Sequence, residues 1–137
     1  MTTVTASAST AAADGLLRRA LRVDGWSTAV FGVLMSAAAV PLRDPLGLPT
    51  SLSIPFGMAM LGGGLVLILL AGHPVISARH AAAVVAVNTL SVLGMAGSAA
   101  SGLLPFTAAG VAFVLVGAVV VAIFAGWEYV GLRRILR

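Results

Sequence analysis

The chain has 137 residues, of which 60% are hydrophobic and only 9% are charged, and its formal net charge at pH 7 is +4. A soluble domain of this size with so apolar a composition would precipitate, so the sequence indicates that lipid is the solvent of this chain. All of the positive charge comes from arginine, which in an apolar chain indicates anchoring at the cytoplasmic face of a membrane and argues against nucleic-acid binding. Cysteine is absent, which excludes disulfides and thiolate metal sites.

The first residues differ in composition from the rest. Residues 1–15 are mostly serine, threonine and alanine without apolar periodicity, and they predict a disordered cytoplasmic tail. Residues 16–137 form the predicted transmembrane domain. In an alternative interpretation, residues 1–39 are a cleavable secretory signal that ends in an alanine motif. Asp24 and the long tail before the apolar run argue against that alternative.

The first two membrane spans follow from charge-free intervals. A helix needs about 20 apolar residues to cross the hydrocarbon core at about 1.5 Å per residue. The first predicted span covers residues 25–42 and is closed by Pro41. The second covers residues 55–72, because Pro55 suits the first turn of a helix and Pro74 prevents its continuation.

The second half of the chain predicts two further spans. The stretch from Ala81 to Trp127 carries no formal charge, which is too long for one span and about right for two. A turn rich in small residues separates the predicted spans 80–100 and 105–127. The predicted fold class is therefore all-α, an antiparallel bundle of four transmembrane helices.

The distribution of arginine predicts the orientation. Arg43 alone lies in a loop on one face of the predicted bundle, whereas the other face collects Arg18, Arg19, Arg22, Arg79, Arg133, Arg134 and Arg137. Because arginines in short loops stay in the cytoplasm, we expect both termini and the loop 72–80 to be cytoplasmic, in a multi-pass protein of the cell membrane. Trp26, Trp127 and Tyr129 then lie at the cytoplasmic interface, as in an aromatic belt.

Few polar side chains fall near or inside the predicted spans, and these are the candidate functional residues. Asn88 lies near the middle of the third span and Ser91 follows it; Asn88 contacts either a ligand or, as the sequence favours, another helix through a hydrogen bond. Asp24 and Glu128 lie at the cytoplasmic ends of the first and fourth spans. With arginines nearby, they predict interfacial ion pairs rather than carboxylates that carry protons.

Small residues recur at four-residue steps in three of the predicted spans. This spacing is typical of helix-packing faces in membranes, where small side chains let two backbones approach closely. In the first span, Thr28, Gly32 and Ser36 follow Asp24 at this spacing, and we call such a row of residues a stripe. In the third and fourth spans the corresponding residues are Gly94, Ser98, Ala118, Ala122 and Gly126.

No pattern predicts a metal or a cofactor. His73 and His80 flank the loop between the second and third spans, with Pro74 between them and neither a carboxylate nor a thiol as partner. The triple glycine at 62–64 is not a phosphate loop, because no strand precedes it and no Lys-Ser/Thr follows.

Several short motifs carry a family resemblance. They are Leu21-Arg22-x-Asp24, Leu46-Gly47-Leu48-Pro49, Arg79 with Asn88, and the closing Gly131-Leu132-Arg133-Arg134. In these motifs the chain resembles small four-span integral membrane proteins of actinobacteria, and it is more distantly similar to DoxX-like four-helix proteins. The DoxX-like resemblance implies a component of a membrane redox assembly, but no quinone site is visible and no functional residue is carried over.

The sequence favours a non-catalytic accessory or assembly component that packs through its small-residue faces. Its expected partners are the lipid bilayer and a second copy of the chain or another membrane protein. The alternative is a dimeric transporter of a small solute or ion, because four short spans are also typical of small multidrug resistance exporters. Those exporters use an acidic residue within span one, and none lies between Asp24 and Arg43. An intramembrane enzyme would need a Ser/His pair, paired aspartates or a metal at membrane depth, so we expect no enzymatic activity.

Overall fold

The computed structural model describes the backbone of residues 2–137 and the side chains of residues 14–137. Within that part, the chain forms five helices and no strand, so the all-α prediction is confirmed. The helices are α1 (Thr2–Ala37), α2 (Ala39–Leu46), α3 (Thr50–Gly72), α4 (Ala78–Ser101) and α5 (Ala108–Ile135).

The first helix differs from the predicted first span at both ends. The backbone is helical from Thr2, where the sequence predicts a disordered tail, and the many alanines of this segment favour a helix. Met1 lies outside the described residues. At its other end α1 stops at Ala37, and the chain bends by 86° into α2. The predicted span 25–42 is therefore not one straight helix, and Pro41 instead lies in the first turn of α2, where a missing N–H is tolerated.

The remaining helices extend beyond the predicted spans. α3 begins at Thr50 and contains Pro55 inside its second turn, whereas the sequence predicts a start at Pro55. α5 continues past Trp127 to Ile135, and two arginines in its last turn stabilise the negative end of the helix dipole. By length and composition, α3, α4 and α5 can each cross a membrane, and a fourth span results if α1 and α2 count as one bent span.

The helices pack around α1. One face of α1 packs against α3 and another against α5, whereas α4 packs mainly against α5. Within the described part of the chain, the backbone of α4 does not approach α1 or α3, but Ala81 of α4 packs with side chains of both helices at the end that carries the termini. The bundle therefore has a gap between the backbones of α3 and α4, the open side, which side chains close at the end that carries the termini.

Glycines allow α1 and α3 to approach closely. A Cβ atom added at Gly32 would lie 2.5 Å from the carbonyl oxygen of Gly57, and one added at Gly64 would lie 2.5 Å from the backbone nitrogen of Ala29. Ser36 lies on the same face and donates a 3.0 Å hydrogen bond to the Gly32 carbonyl. In lipid, where helices gain no hydrophobic attraction for each other, such van der Waals contact stabilises the pair.

The predicted stripe on α1 divides between two faces. Gly32 and Ser36 face α3, whereas Thr28 donates a hydrogen bond to Asp24 on a different side of the helix. A helix has 3.6 residues per turn, so each four-residue step rotates the side chain by about 40° and three steps lead to a new face.

Only some residues of the predicted stripes on α4 and α5 lie in interfaces between helices. Gly94, Ala122 and Gly126 are exposed and lie outside the interfaces between the described helices, whereas Ala118 is buried and Ser98 is half-buried. Steps of seven residues rotate by only about 20° and keep one face. The buried positions of α5 follow that spacing at Ala118, Ala125 and Leu132.

Apolar side chains fill the end of the bundle that carries the termini. This apolar cluster contains Leu17, Leu21, Leu67, Ala71, Ile76, Ala81 and Leu132. Beside it, the guanidinium of Arg18 donates hydrogen bonds to the carbonyl oxygens of Ala71 at 2.9 Å and Pro74 at 2.7 Å. The last carbonyls of a helix lack intrahelical partners, so Arg18 caps the C-terminus of α3 from α1.

At the opposite end, one threonine joins α2 to α5. The Thr107 hydroxyl donates to the carbonyl of Pro45 at 2.6 Å, and its backbone N–H donates to Leu46 at 3.1 Å. The same hydroxyl accepts a hydrogen bond from the backbone N–H of Gly110, which caps α5. Thr107 therefore fixes the bent segment after α1 against the start of the last helix.

Candidate functional site

Three helices bring polar side chains together inside the bundle. Nδ2 of Asn88 on α4 donates hydrogen bonds to Oδ2 of Asp24 on α1 at 2.9 Å and to Oε2 of Glu128 on α5 at 2.8 Å. The Thr28 hydroxyl, one turn along α1, donates to Oδ1 of Asp24 at 2.9 Å. We call Asp24, Thr28, Asn88 and Glu128 the polar site.

The two carboxyl groups of the polar site are the most deeply buried of its members. Asp24 is 3% exposed and Glu128 is 0% exposed, whereas Thr28 and Asn88 are half-buried. The second oxygen of Glu128, Oε1, is buried and has no hydrogen-bond partner among the described residues. An unsatisfied buried acceptor costs roughly 1–3 kcal/mol, and more when the group is charged. The polar site therefore has one acceptor that lacks a donor.

The predicted ion pairs of Asp24 and Glu128 with arginine are wrong. Within residues 14–137 the ion pairs are Arg18 with Asp14 and Arg43 with Asp44. Each residue of a helix is rotated by about 100° from the one before, so Arg22, two residues before Asp24, points to nearly the opposite side of α1. The guanidinium of Arg133 lies instead over the ring of Tyr129, at 5.9 Å from its centre.

The polar site lies well inside the length of its helices. At 1.5 Å per residue, Asn88 is about 15 Å from the start of α4 at Ala78 and about 20 Å from its end at Ser101. Asp24 is similarly about 20 Å from the end of α1 at Ala37. Both acidic residues lie at the ends of the spans predicted from the sequence, but α1 and α5 continue past them toward the termini.

The apolar cluster lies about one turn from the polar site, on the side of the termini. Leu21 precedes Asp24 by three residues, and Leu132 follows Glu128 by four. Leu21 is 0% exposed and Leu132 is 7% exposed. A leucine layer thus separates the buried carboxyl groups from the arginine-rich end of the bundle.

The other polar candidates do not reach the polar site. The Ser91 hydroxyl is exposed and donates to the carbonyl of Val87 in its own helix at 2.9 Å, so it needs no other partner. His73 and His80 bond locally in and beside the loop after α3. Among the described residues, no group of three histidine, cysteine, aspartate or glutamate side chains is placed to hold a metal ion.

The fold and the site define the class of this protein. It is an all-α protein with three or four helices that are long and apolar enough to cross a membrane. Two of its buried carboxyl groups share a hydrogen-bond donor, the amide nitrogen of one asparagine. No protein-family model, curated protein or solved structure matches the chain. The resemblance to actinobacterial four-span and DoxX-like proteins stays a prediction.

Proposed function

We propose that this multi-pass membrane protein binds a proton at the polar site and couples its uptake and release to the transport of a small solute or ion. The observation that carries this proposal is the contact of Asp24 and Glu128, both buried, with one amide nitrogen and no arginine. Two carboxylates this close in a medium of low dielectric constant repel each other strongly. A proton bound by the pair removes one of the two charges.

A purely structural role explains the two carboxyl groups less well. An interhelical hydrogen bond needs only neutral partners and contributes about 0.6–2 kcal/mol in a membrane. Burying an ionisable carboxyl group adds a desolvation cost to that bond. Ionisable side chains that face the interior of a membrane bundle commonly mark ion and proton pathways, which favours the transporter over the accessory component.

The position of Asp24 in α1 is compatible with a transporter. The predicted first span begins after Asp24 and so contains no acidic residue, unlike the small multidrug resistance exporters. α1 runs through Asp24 without interruption and buries it against two other helices. The first apolar helix therefore does carry an inward-facing carboxyl group.

The native tryptophans offer a direct test of proton binding. Trp26 and Trp127 are the only tryptophans of the chain; they lie two residues after Asp24 and next to Glu128. We expect the intrinsic fluorescence of the protein in lipid nanodiscs to titrate with pH, and we expect Asp24→Asn and Glu128→Gln to alter that titration. Asp44→Asn, at an exposed carboxyl group in α2, is the matched control and should leave it unchanged.

A second control separates the polar site from the histidines. The double variant His73→Gln with His80→Gln should keep the native titration, because both side chains lie outside the polar site. A signal that does not titrate, or that titrates identically in all variants, contradicts proton binding at the polar site.

Transport itself is tested in proteoliposomes that hold a pH-sensitive dye. After a pH gradient is imposed, we expect a proton flux that depends on the protein and is lost in Glu128→Gln and Asp24→Asn. Asp44→Asn should retain the flux. Equal flux in all these variants would count against a transporter that uses these carboxyl groups.

The accessory component is the second candidate, and the position of α4 favours it. Most side chains of this helix are exposed, so they are available to a second copy or to a helix of another membrane protein. Proteins that co-purify in mild detergent would identify such a partner, and a redox assembly would be recognised by its cofactors. Neither candidate function requires catalysis by this chain, and we propose no enzymatic activity for it.

A further inference from the structure

We propose that the polar site also binds an amphipathic primary amine in its ammonium form, which enters from the bilayer through the open side between α3 and α4. This inference rests on the proposed function, because the ammonium group and the proton would compete for the same carboxyl pair.

The hydrogen bonds of Asn88 indicate where an ammonium nitrogen fits. Its Nδ2 atom lies 2.9 Å from a carboxyl oxygen of Asp24 and 2.8 Å from one of Glu128, which are ordinary distances for an ammonium group as well. An amide nitrogen has two N–H donors, whereas a primary ammonium has three. Oε1 of Glu128 is buried and has no partner, Nδ2 of Asn88 included, so an ammonium nitrogen that lies nearer to this oxygen than Nδ2 does would give it the third donor.

The ammonium group also supplies the charge that the polar site lacks. The amide of Asn88 is neutral, and no arginine pairs with Asp24 or Glu128 within residues 14–137. Hydrogen bonds between an ionised donor and a carboxylate are roughly twice as strong as neutral ones. Replacement of the amide nitrogen by an ammonium nitrogen would therefore satisfy the carboxyl pair more completely.

The packing of α4 leaves a lateral route to this position. Asn88 and Thr28 are half-exposed although their carboxyl partners are buried, so the polar site is approached from the side. Toward the termini it is closed by Leu21 and Leu132. The backbone of α4 approaches neither α1 nor α3, and rotation of the half-exposed Asn88 side chain would clear the position of its amide nitrogen.

The chemistry of the walls restricts the ligand further. The large exposed side chains of α3 and α4 are apolar, so a ligand that reaches the polar site from the lipid past these helices needs an apolar body. A quaternary ammonium has no N–H and leaves Oε1 of Glu128 unsatisfied. A divalent cation fits poorly, because the described residues hold no group of three metal-ligating side chains at this position.

Three probes of the same chain length test this proposal in nanodiscs. They are hexylamine, hexyltrimethylammonium and 1-hexanol, which differ in charge and in N–H donors. We expect hexylamine alone to give a saturable rise in the thermal unfolding midpoint and a saturable change in tryptophan fluorescence. Its apparent affinity should fall at least about tenfold in Glu128→Gln, because a charge-assisted hydrogen bond is lost. Asp44→Asn should bind it as the native chain does.

A competition experiment on the native chain does not depend on the folding of any variant. Because the ammonium group binds the ionised carboxyl pair, saturating hexylamine should move the midpoint of the fluorescence titration to lower pH. If all three probes give the same response, they merely partition into lipid and the proposal is overturned. If the titration depends on Glu128 but its midpoint does not change with hexylamine, amine binding is contradicted and proton binding is supported. If the fluorescence does not titrate at all, both proposals are contradicted.

Discussion

Asn88 on α4 and Glu128 on α5 are joined by a hydrogen bond of 2.8 Å that ends on a fully buried carboxyl group. The same amide nitrogen reaches Asp24, so a single side chain connects three helices. The backbone of α4 approaches α5 but not α1, and Asn88 is its hydrogen-bonded link to α1. Its removal should disturb the helix packing and the carboxyl pair together.

The first prediction concerns that removal. Asn88→Leu keeps the approximate size of the side chain but leaves two buried carboxyl groups without their shared donor. We expect the free energy of unfolding to fall by about 2–4 kcal/mol, because hydrogen bonds to charged groups are worth about 1.5–3 kcal/mol each. Thermal or denaturant unfolding in detergent measures this change.

The next residue along α4 provides the control. Thr89 is exposed, and its hydroxyl donates to the carbonyl of Val85 within the same helix at 2.7 Å. Thr89→Val should change the free energy of unfolding by less than about 0.5 kcal/mol. A similar loss in both variants would mean that the effect of Asn88→Leu does not arise from the carboxyl pair.

The second prediction concerns two adjacent glycines in α3. A Cβ at Gly64 would meet the backbone of α1 at 2.5 Å, whereas a Cβ at Gly63 would meet nothing within 4 Å. Gly64→Ala should therefore separate the two helices and lower the free energy of unfolding by about 1–3 kcal/mol. Gly63→Ala should raise it by up to about 1 kcal/mol, because alanine favours a helix. Equal effects in unfolding measurements would contradict the close α1–α3 contact.

The third prediction concerns the cap on α3. Arg18→Ala removes the donors to the carbonyl oxygens of Ala71 and Pro74, and we expect the loop after α3 to open more often. Hydrogen exchange of a peptide covering residues 70–80 should become faster, with a loss of about 1–2 kcal/mol in unfolding free energy. The neighbouring Arg19 is exposed, and Arg19→Ala should leave both measurements unchanged. Faster exchange in both variants would point to net charge as the cause.

The sequence predicts the helices better than their contacts. Charge-free intervals locate α3, α4 and α5, because the width of a membrane fixes how long an apolar helix must be. The bend at Ala38 is not visible in such intervals, since the residues on both sides of it are apolar. The end of a span is likewise hidden when a helix continues into a charged segment, as α5 does after Trp127.

The contacts within the polar site are also not predicted by the sequence. Asp24, Asn88 and Glu128 are all recognisable as candidates, because polar side chains are rare in this chain. Their contact depends on the rotation of α1 and on the depth of each residue in the bundle. The many arginines near Asp24 in sequence suggest ion pairs, yet Arg22 points away from it on the helix.

The fourth prediction concerns the membrane topology, and the absence of cysteine makes it directly accessible. We expect Asp44→Cys and Leu103→Cys to react with a membrane-impermeant maleimide on intact cells. Val75→Cys and Leu136→Cys should react only after permeabilisation, because the arginine distribution predicts a cytoplasmic loop after α3 and a cytoplasmic C-terminus. All four residues are exposed, so differences in labelling report on the side of the membrane.

One further position decides whether α1 and α2 form a bent fourth span. Gly15 precedes the arginines of α1, and no atom lies within 4 Å of a Cβ placed there. If the bent pair crosses the membrane, Gly15→Cys is protected on intact cells like Val75→Cys. If α1 lies along the outer surface instead, Gly15→Cys reacts like Asp44→Cys and the chain has three spans. The first outcome is the expected one, because the second leaves Arg18, Arg19 and Arg22 on the translocated side, against the distribution that short-loop arginines follow.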